Sequence, residues 1–238
     1  MKVGLLSDAH GNSLGLDLCL NHLKGLGCDR LYFLGDMVGY LPEVEACFQL
    51  LDEHKVICLN GNHDAMVLGQ LPRRPEREAI YLHEYAEANL SEDAYSSLLQ
   101  RRSFMSVEIE GAKFLLVHGS PWDPLCEYVY ADSDLTRFED LDFDAVFMGH
   151  THRPFMHKTE AGKLVVNVGS CGLPRDIGCL ASCVIYEPLT NDCEIHRLKF
   201  NKDYFSDRYP SLVSETVLKC LDREEKHQPV GKIIERIL

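Results

Sequence analysis

A short apolar run that ends in an Asp-x-His pair opens the chain, as Met1-Lys2-Val3-Gly4-Leu5-Leu6-Ser7-Asp8-Ala9-His10. The length and the polar flanks of this run predict a buried strand over residues 2–7. Alternating helix and strand patterns follow at residues 12–26, 30–34, 42–53 and 55–59. Because strands that alternate with helices pair in parallel, this order predicts an α/β fold with helices on both faces of a sheet.

The second half of the chain is rich in strand patterns, and the whole length is compatible with a single domain over residues 1–238. Strands are predicted at residues 106–109, 113–118, 145–148, 164–168, 181–186 and 194–200. Two stacked sheets with outer helices, an α/β sandwich, account for this arrangement.

Two further segments are predicted to be helical. Residues 70–104 form an insertion with a charged helix over 76–90 and a second helix capped by Ser91. This insertion is either a lid that covers the site or a solvated surface element, and the sequence leaves both open. Residues 209–238 form a tail that packs on the domain or on a second copy of the chain, as a homo-oligomer. The tail carries four late apolar residues, Ile233, Ile234, Ile237 and Leu238.

Charge and cysteine content limit the classes of partner and compartment. The formal net charge of −13 argues against a general nucleic-acid surface, which needs a basic patch, but bound cations would reverse the field for an anionic substrate. No apolar stretch approaches the ~20 residues of a membrane span, and the first apolar run is too short for a signal peptide. We therefore expect a cytoplasmic protein without a membrane partner. The ten cysteines form no C-x-x-C pair, which favours small buried hydrophobes over disulfides or zinc ligands.

Five short motifs place carboxylates, imidazoles and one amide after predicted strands. They are Asp8-Ala9-His10, Gly35-Asp36, Gly61-Asn62-His63-Asp64, Val117-His118-Gly119 and Gly149-His150-Thr151-His152. Since ligands of open α/β sheets bind beyond the carboxyl ends of strands, these side chains are expected to meet at one edge. Mixed oxygen and nitrogen ligands suit Mn, Fe, Zn, Co or Ni better than Ca or Mg. The five motifs together predict a two-metal hydrolytic site.

The other six histidines carry no such pattern. They are interpreted as surface or satisfied side chains: His22, His54, His83, His157, His196 and His227.

The five blocks, in this order, resemble the calcineurin-like metallophosphoesterase superfamily over about residues 1–200. The segments 35–40 and 167–176 are similar to those of its small bacterial and archaeal phosphodiesterase-type members, although Val168 stands where proline is common. The resemblance implies a four-layer α/β/β/α sandwich of two mixed sheets flanked by helices. It also implies two divalent or trivalent metal ions, with Mn the first expectation and Fe, Zn, Ni, Co or Mg as alternatives.

The resemblance assigns the ligands as well. One metal would be held by Asp8, His10, Asp36 and His152, and the second by Asp36, Asn62, His118 and His150. Asp36 would bridge the two ions, and a bridging hydroxide would attack phosphorus.

The remaining site residues have less specific expectations. His63 would stabilise the developing charge and protonate the leaving oxygen, and Asp64 would orient His63 by a hydrogen bond. Arg175 is a candidate phosphate contact, with an ion pair to Asp176 as the alternative. Tyr40 either stacks on a base of the substrate or packs in the protein.

The expected activity is hydrolysis of a small phosphorylated compound. A phosphodiester, a phosphomonoester and a dinucleoside polyphosphate all remain open as substrate classes, and the last would make the substrate a nucleotide. The alternative is a non-catalytic scaffold, because a retromer scaffold subunit shares this fold.

Overall fold

The computed structural model describes residues 1–224 and 228–234. Its strands are β1 Val3–Leu6, β2 Arg30–Phe33, β3 Ile57–Cys58, β4 Phe104–Ile109, β5 Ala112–Val117, β6 Ala145–Met148, β7 Phe155–Lys158, β8 Leu164–Asn167, β9 Leu180–Glu187, β10 Asp192–Lys199 and β11 Lys232–Ile234. Its helices are α1 Ser13–Gly25, α2 Val44–Glu53, α3 Asn62–Val67, α4 Glu78–Tyr81, α5 His83–Asn89, α6 Glu92–Gln100, α7 Tyr204–Arg208 and α8 Glu215–Leu221. Within these described residues, none of the helices has the length and apolar character needed to cross a membrane.

The strands form two mixed sheets. The first has the order β11-β10-β9-β1-β2-β3, and the second has the order β4-β5-β6-β8-β7. Strands β1, β2 and β3 are parallel, as are β5, β6 and β8, so each sheet gathers three carboxyl ends at one edge. The prediction of two mixed sheets flanked by helices is confirmed.

The two sheets pack face to face through large apolar side chains. Phe114, Phe147 and Tyr186 meet with ring centroids 5.0 to 6.0 Å apart and steeply inclined planes. Because side chains alternate along a strand, Phe114 and Leu116 of β5 face the first sheet while Leu115 faces outward. This layer between the sheets is the central core of the protein.

Each sheet also has an outer cover. Helices α1 and α2 pack on the outer face of the first sheet, where Leu20 and Leu23 of α1 and Cys47 of α2 are buried. The outer face of the second sheet is covered by residues 119–144, which contain the short 3-10 helix Thr136–Phe138. Phe138 is buried there against β5 and β6.

The insertion over residues 70–104 is helical but more broken than expected. A single helix over 76–90 is wrong, because the chain forms the 3-10 helix Pro75–Arg77, then α4, then α5. Leu82 separates α4 from α5 with φ of 54°, a left-handed conformation that an α-helix does not contain. Helix α6 begins at the predicted cap, where the Ser91 side chain accepts a hydrogen bond from the backbone N–H of Ala94.

The tail is helical only in part. Helix α8 lies within residues 209–238, but a helix is wrong for Lys232–Ile234, which pair in parallel with β10 as strand β11. The physical reason is that β10 would otherwise have an open edge with unpaired backbone groups. A short extended run with two isoleucines can pair with these groups, whereas a helix cannot. Ile233 is exposed and Ile234 is half-buried, whereas Ile237 and Leu238 lie outside the described residues.

The Phe147→Ala substitution should lower the free energy of unfolding by about 3–5 kcal/mol, because it leaves a cavity between the sheets. Urea unfolding followed by circular dichroism measures this change. The matched control is Phe104→Ala, since Phe104 is 53% exposed and its loss should change the free energy by no more than about 0.5 kcal/mol. Equal effects of the two substitutions would contradict this account of the core.

Candidate metal centre

The five predicted motifs meet where the carboxyl ends of both sheets come together. Asp8 and His10 follow β1, and Asp36 follows β2. The residues from the other motifs follow β3, β5 and β6, and they are Asn62, His63, His118, His150 and His152. All eight side chains are buried. The sequence motifs therefore converge on one buried polar site.

The backbone is strained at this site. Asp8, His10 and Asp36 have φ between 49° and 60°, and His150 and His152 have φ of 65° and 58°. Residues with a Cβ rarely adopt this left-handed region, and each instance costs on the order of 1–3 kcal/mol. Five such residues in one cluster indicate that the fold holds these side chains in place for a functional reason.

Asp8, His10 and His152 form the first cluster of candidate ligands. The Nδ1–H of His10 donates to the carbonyl oxygen of Val38 at 2.8 Å, and that of His152 donates to Leu173 at 2.6 Å. Since a carbonyl only accepts, the Nε2 atom of each neutral ring must carry a lone pair. These two Nε2 atoms lie 3.1 Å apart. Asp8 Oδ1 lies 3.3 Å from His152 Nε2, and this oxygen has no hydrogen-bond partner among the described residues. Three electron-rich atoms that face one another fit a cation.

Asp36, His118 and His150 form the second cluster. The Nδ1–H of His118 donates to Leu34 at 2.9 Å, and its Nε2 atom lies 3.3 Å from Asp36 Oδ2 and 3.1 Å from Asn62 Oδ1. His150 is turned the other way, because its Nε2–H donates to Cys126 at 3.2 Å and leaves Nδ1 as the free nitrogen. These hydrogen bonds fix the ring orientations in the manner typical of metal-binding histidines.

Asp36 lies between the two clusters. Its Oδ2 atom is 3.5 Å from His10 Nε2 and 3.3 Å from His118 Nε2, so one oxygen faces ligands of both groups. Its Oδ1 atom accepts a hydrogen bond of 2.8 Å from the backbone N–H of His63. This carboxylate has the position expected of a bridge between two cations.

Burial and mutual charge shift the pKa values of the site. Burial raises the pKa of Asp8 to about 7 and lowers that of His10 to about 4. Burial also acts against charge on Asp36 and His118, but their attraction to each other outweighs it. The pKa of Asp36 therefore lies well below its usual value, and that of His118 rises to about 9. These shifts favour a proton on His118 beside the charged Asp36 carboxylate when no cation is bound.

Two glycines allow the loops to approach the carboxylates. A Cβ atom on Gly149 would lie 2.6 Å from Asp8 Oδ2, and one on Gly61 would meet the Asp36 carboxylate. Such contacts are too short for any larger residue. The glycines of these two motifs are therefore needed for close packing around the candidate ligands.

Asp64 does not have its expected role. Its carboxylate accepts hydrogen bonds from the backbone N–H groups of Gly61, Asp36, Met37 and Val38, at 2.8 to 3.2 Å. The expectation that Asp64 orients His63 is therefore wrong. The third residue of a helix is well placed to cap backbone N–H groups, and here the carboxylate also binds the neighbouring turn. Asp64 supports the loop that carries Asp36.

His63 is instead paired with a histidine that the sequence analysis passed over. His63 Nδ1 lies 2.8 Å from His83 Nε2, and both rings are buried. The sequence pattern predicts a surface or satisfied side chain at His83. The residue is buried rather than on the surface, and its Nε2 atom is hydrogen-bonded, but the partner is His63 because insertion helix α5 brings His83 to the site. Nothing in the sequence around His83 marks it as a site residue. Of the other histidines in that group, His22 and His196 are hydrogen-bonded to each other, and His227 lies outside the described residues.

Arg175 and Tyr40 lie together at the rim of the site. The Arg175 guanidinium donates to the Tyr40 hydroxyl at 3.3 Å, and an ion pair between Arg175 and Asp176 is not formed. Asp176 is bound by the buried Arg197 instead, through two hydrogen bonds. Arg175 therefore keeps a positive charge close to the clusters. The pKa of His152 is lowered mainly by burial and, to a smaller extent, by this charge.

Tyr128 is a further rim residue that sequence reasoning missed. Its ring lies on that of His150 with centroids 4.0 Å apart, and the residue is about half exposed. The nearby Tyr130 ring is nearly parallel to it at 6.0 Å. The alternation Tyr128-Val129-Tyr130 in the sequence is the one signal that would have pointed to two tyrosines on a common face.

Comparison with known proteins places this geometry in context. The model of the calcineurin-like phosphoesterase superfamily domain matches residues 1–188. The uncharacterized protein MJ0912 of Methanocaldococcus jannaschii is 27% identical over 224 residues, which cover 84% of this chain and 88% of that protein. Phosphodiesterase MJ0936 of the same organism is 26% identical over 171 residues, which cover 72% of this chain and 84% of that protein.

A solved structure agrees with the family match. The metallophosphoesterase from Sphaerobacter thermophilus superimposes with a TM-score of 0.77 and 26% identity, covering 93% of this chain and 98% of that chain. The family is metal-dependent, which agrees with the two clusters of buried Asp and His side chains. Because the family model spans most of the sequence, the chain belongs to the calcineurin-like phosphoesterase superfamily.

Proposed function

We propose that this chain is a dinuclear metallophosphoesterase that hydrolyses a phosphate ester. The observation that carries the proposal is the pair of electron-rich clusters that share Asp36 beside the buried His63. The similarity to a protein named as a phosphodiesterase supports a phosphodiester among the candidate substrates, alongside phosphomonoesters and dinucleoside polyphosphates. A scaffold would need neither the complete ligand set nor His63, so these residues favour an enzyme.

The candidate ligands would divide between two ions. Asp8, His10 and His152 would hold one, His118 and His150 with the Asn62 amide oxygen would hold the other, and Asp36 would contact both. When bound, the ions would supply positive charge to the phosphoryl oxygens and lower the pKa of a water molecule. Mixed carboxylate and imidazole ligands suit Mn²⁺, which is our first candidate, while Fe, Zn, Ni, Co and Mg are the alternatives.

His63 would act on the leaving group. Its backbone N–H is bound to Asp36, and its Nδ1 atom is bound to His83, so the Nε2 atom is the ring nitrogen left for the substrate. From this position its Nε2–H would donate a hydrogen bond to the leaving oxygen and stabilise the negative charge that develops there as the ester bond breaks.

Arg175 would bind the phosphate group. Its guanidinium is oriented by the Tyr40 hydroxyl and carries the geometry for two parallel hydrogen bonds to phosphate oxygens. Tyr40 itself is buried, which favours packing over stacking on a base. All ten cysteines are free, and this supports a reducing compartment such as the cytoplasm.

Metal binding should release protons and strengthen with rising pH. Asp8 and His118 have pKa values of about 7 and about 9, and both must lose a proton before they bind a cation. The apparent affinity for Mn²⁺ should therefore rise between about pH 6 and pH 9. Isothermal titration calorimetry in two buffers of different ionisation enthalpy counts the released protons. A pH-independent affinity without proton release would contradict the assignment of these ligands.

The Asp36→Asn and His63→Ala substitutions should separate metal binding from catalysis. Protein stripped of metal and titrated with Mn²⁺ should hydrolyse bis-p-nitrophenyl phosphate or p-nitrophenyl phosphate. His63→Ala should keep its metal and lose roughly 10²–10⁴-fold in kcat, whereas Asp36→Asn should lose metal as well. The control is His157→Ala, because His157 is exposed on β7 and should have no effect.

Two results would contradict these roles. Full turnover by metal-replete His63→Ala would remove His63 from the mechanism. No turnover by the folded, metal-bound wild-type protein with either ester class, or with a dinucleoside polyphosphate, would contradict the enzymatic function.

The Arg175→Gln substitution should raise KM more than it lowers kcat. Loss of a charge-assisted contact to phosphate costs about 1.5–3 kcal/mol, which is roughly a 10- to 100-fold loss in kcat/KM. Arg30→Gln is the matched control, since Arg30 is exposed at the opposite end of β2. An unchanged KM in Arg175→Gln would show that this guanidinium does not bind the substrate.

A further inference from the structure

The hydrogen bond between His63 and His83 defines the one free nitrogen of His63. His63 Nδ1 and His83 Nε2 are 2.8 Å apart, and the ring centroids are 5.0 Å apart with planes inclined at 61°. Among the described residues, His63 Nε2 takes part in no hydrogen bond, and the residue retains 5% exposure. His83 thus occupies the Nδ1 side of the His63 ring and leaves the Nε2 side without a hydrogen bond among the described residues.

The left-handed Leu82 places two rings of the insertion on His63. It lies between α4 and α5 with φ of 54°, and its neighbours Tyr81 and His83 have centroids 4.9 and 5.0 Å from that of His63. The Tyr81 carbonyl also accepts a hydrogen bond of 2.7 Å from the backbone N–H of Tyr40. Backbone strain of this kind is maintained where the surrounding structure requires a particular arrangement.

Arg73 ties the insertion to the helix that carries His63. Its Nε and Nη2 atoms donate to the carbonyl oxygens of Met66 and Val67 at the end of α3, at 3.0 and 2.9 Å. The same Nη2 atom binds the Glu87 carboxylate of α5 at 2.7 Å. Three charge-assisted hydrogen bonds of Arg73 therefore link α3, which carries His63, to α5, which carries His83.

The surroundings of His83 decide which ring donates. A neutral imidazole carries one N–H, so only one of the two facing nitrogens has the hydrogen. His83 Nδ1 is buried and has no partner among the described residues. A buried N–H without a partner is more costly than a buried lone pair, so the hydrogen of His83 belongs on Nε2. His83 then donates to His63 Nδ1, and His63 carries its own hydrogen on Nε2.

We propose that His83 is a positioning residue that fixes the orientation and tautomer of His63, so that the His63 Nε2–H points at the substrate. This proposal rests on the proposed function, because it is through His63 that His83 acts. It also assigns a role to the insertion over residues 70–104, which supplies a side chain that supports catalysis.

The tautomer can be measured without any metal or substrate. Nitrogen-15 NMR of the uniformly labelled, metal-free protein distinguishes protonated from unprotonated ring nitrogens, and the His63→Ala spectrum assigns the signals. We expect His63 in the wild-type protein to be protonated at Nε2 and unprotonated at Nδ1. In His83→Met we expect a mixture of the two tautomers. A wild-type His63 that is protonated at Nδ1 would overturn the proposal.

Kinetics with two variants of similar size tests the consequence. His83→Gln keeps an N–H donor at the position of Nε2, whereas His83→Met keeps the bulk and loses the donor. With metal content verified, His83→Met should lower kcat by roughly 10- to 100-fold at constant KM, as is typical when an outer partner of a site residue is removed. His83→Gln should restore most of the loss. The effect should be larger for an alkyl leaving group than for p-nitrophenolate, which needs little help to depart.

A double variant separates positioning from general stability. In the His63→Ala background, His83→Met should cause no further loss of kcat, because the residue through which it acts is gone. An equal loss in both backgrounds, or wild-type kcat in His83→Met, would overturn the proposal. A wild-type protein that hydrolyses no ester would instead contradict the proposed function, and the NMR measurement would still test the hydrogen bond. The NMR result on the wild-type protein also decides the case if His83→Met fails to fold.

Discussion

Electron-rich atoms that face one another are the constraint on which the rest of the site depends. His10 and His152 turn lone pairs toward each other, and Asp8 turns toward both an oxygen that has no partner within residues 1–224 and 228–234. Asp36 turns one oxygen toward the neighbouring cluster. In an apolar interior such an arrangement is unfavourable unless a cation or a proton compensates it. The raised pKa of His118 favours a compensating proton beside Asp36, and bound cations would compensate the charge of the whole site.

The loops that follow the strands hold this arrangement in place, and their backbones are strained as a result. Five candidate ligands have left-handed backbones, and the Asp64 carboxylate stabilises the turn that carries Asp36 by accepting four backbone hydrogen bonds. Glycines stand where another loop must pass close to Asp8 and Asp36. The layer of Phe114, Phe147 and Tyr186 beneath the site provides the apolar burial that offsets the strain.

The helical insertion contributes side chains to a site that is otherwise built from the loops after the strands. Helices α4 and α5 bring Tyr81 and His83 onto His63, and Arg73 joins α5 to α3. Residues 70–104 are therefore more than a solvated surface element, because two of their side chains contact His63. The segment contacts His63 through Tyr81 and His83, whereas Arg175 and Tyr128 lie outside this segment.

The sequence by itself determined the α/β class, the two sheets and the polar motifs that converge at the site, because these depend on local patterns. The division of the ligands into two groups came from the family resemblance. Apolar runs mark buried strands, and polar motifs directly after parallel strands must meet at one edge. Only the tertiary structure decided what Asp64 and His83 do, since both roles depend on which backbone or ring lies opposite after the chain has folded. The strand at Lys232–Ile234 has the same origin, as it forms only because β10 offers an open edge. Long-range pairing of this kind leaves no periodic signal in the sequence, so it could not be predicted from the residues alone.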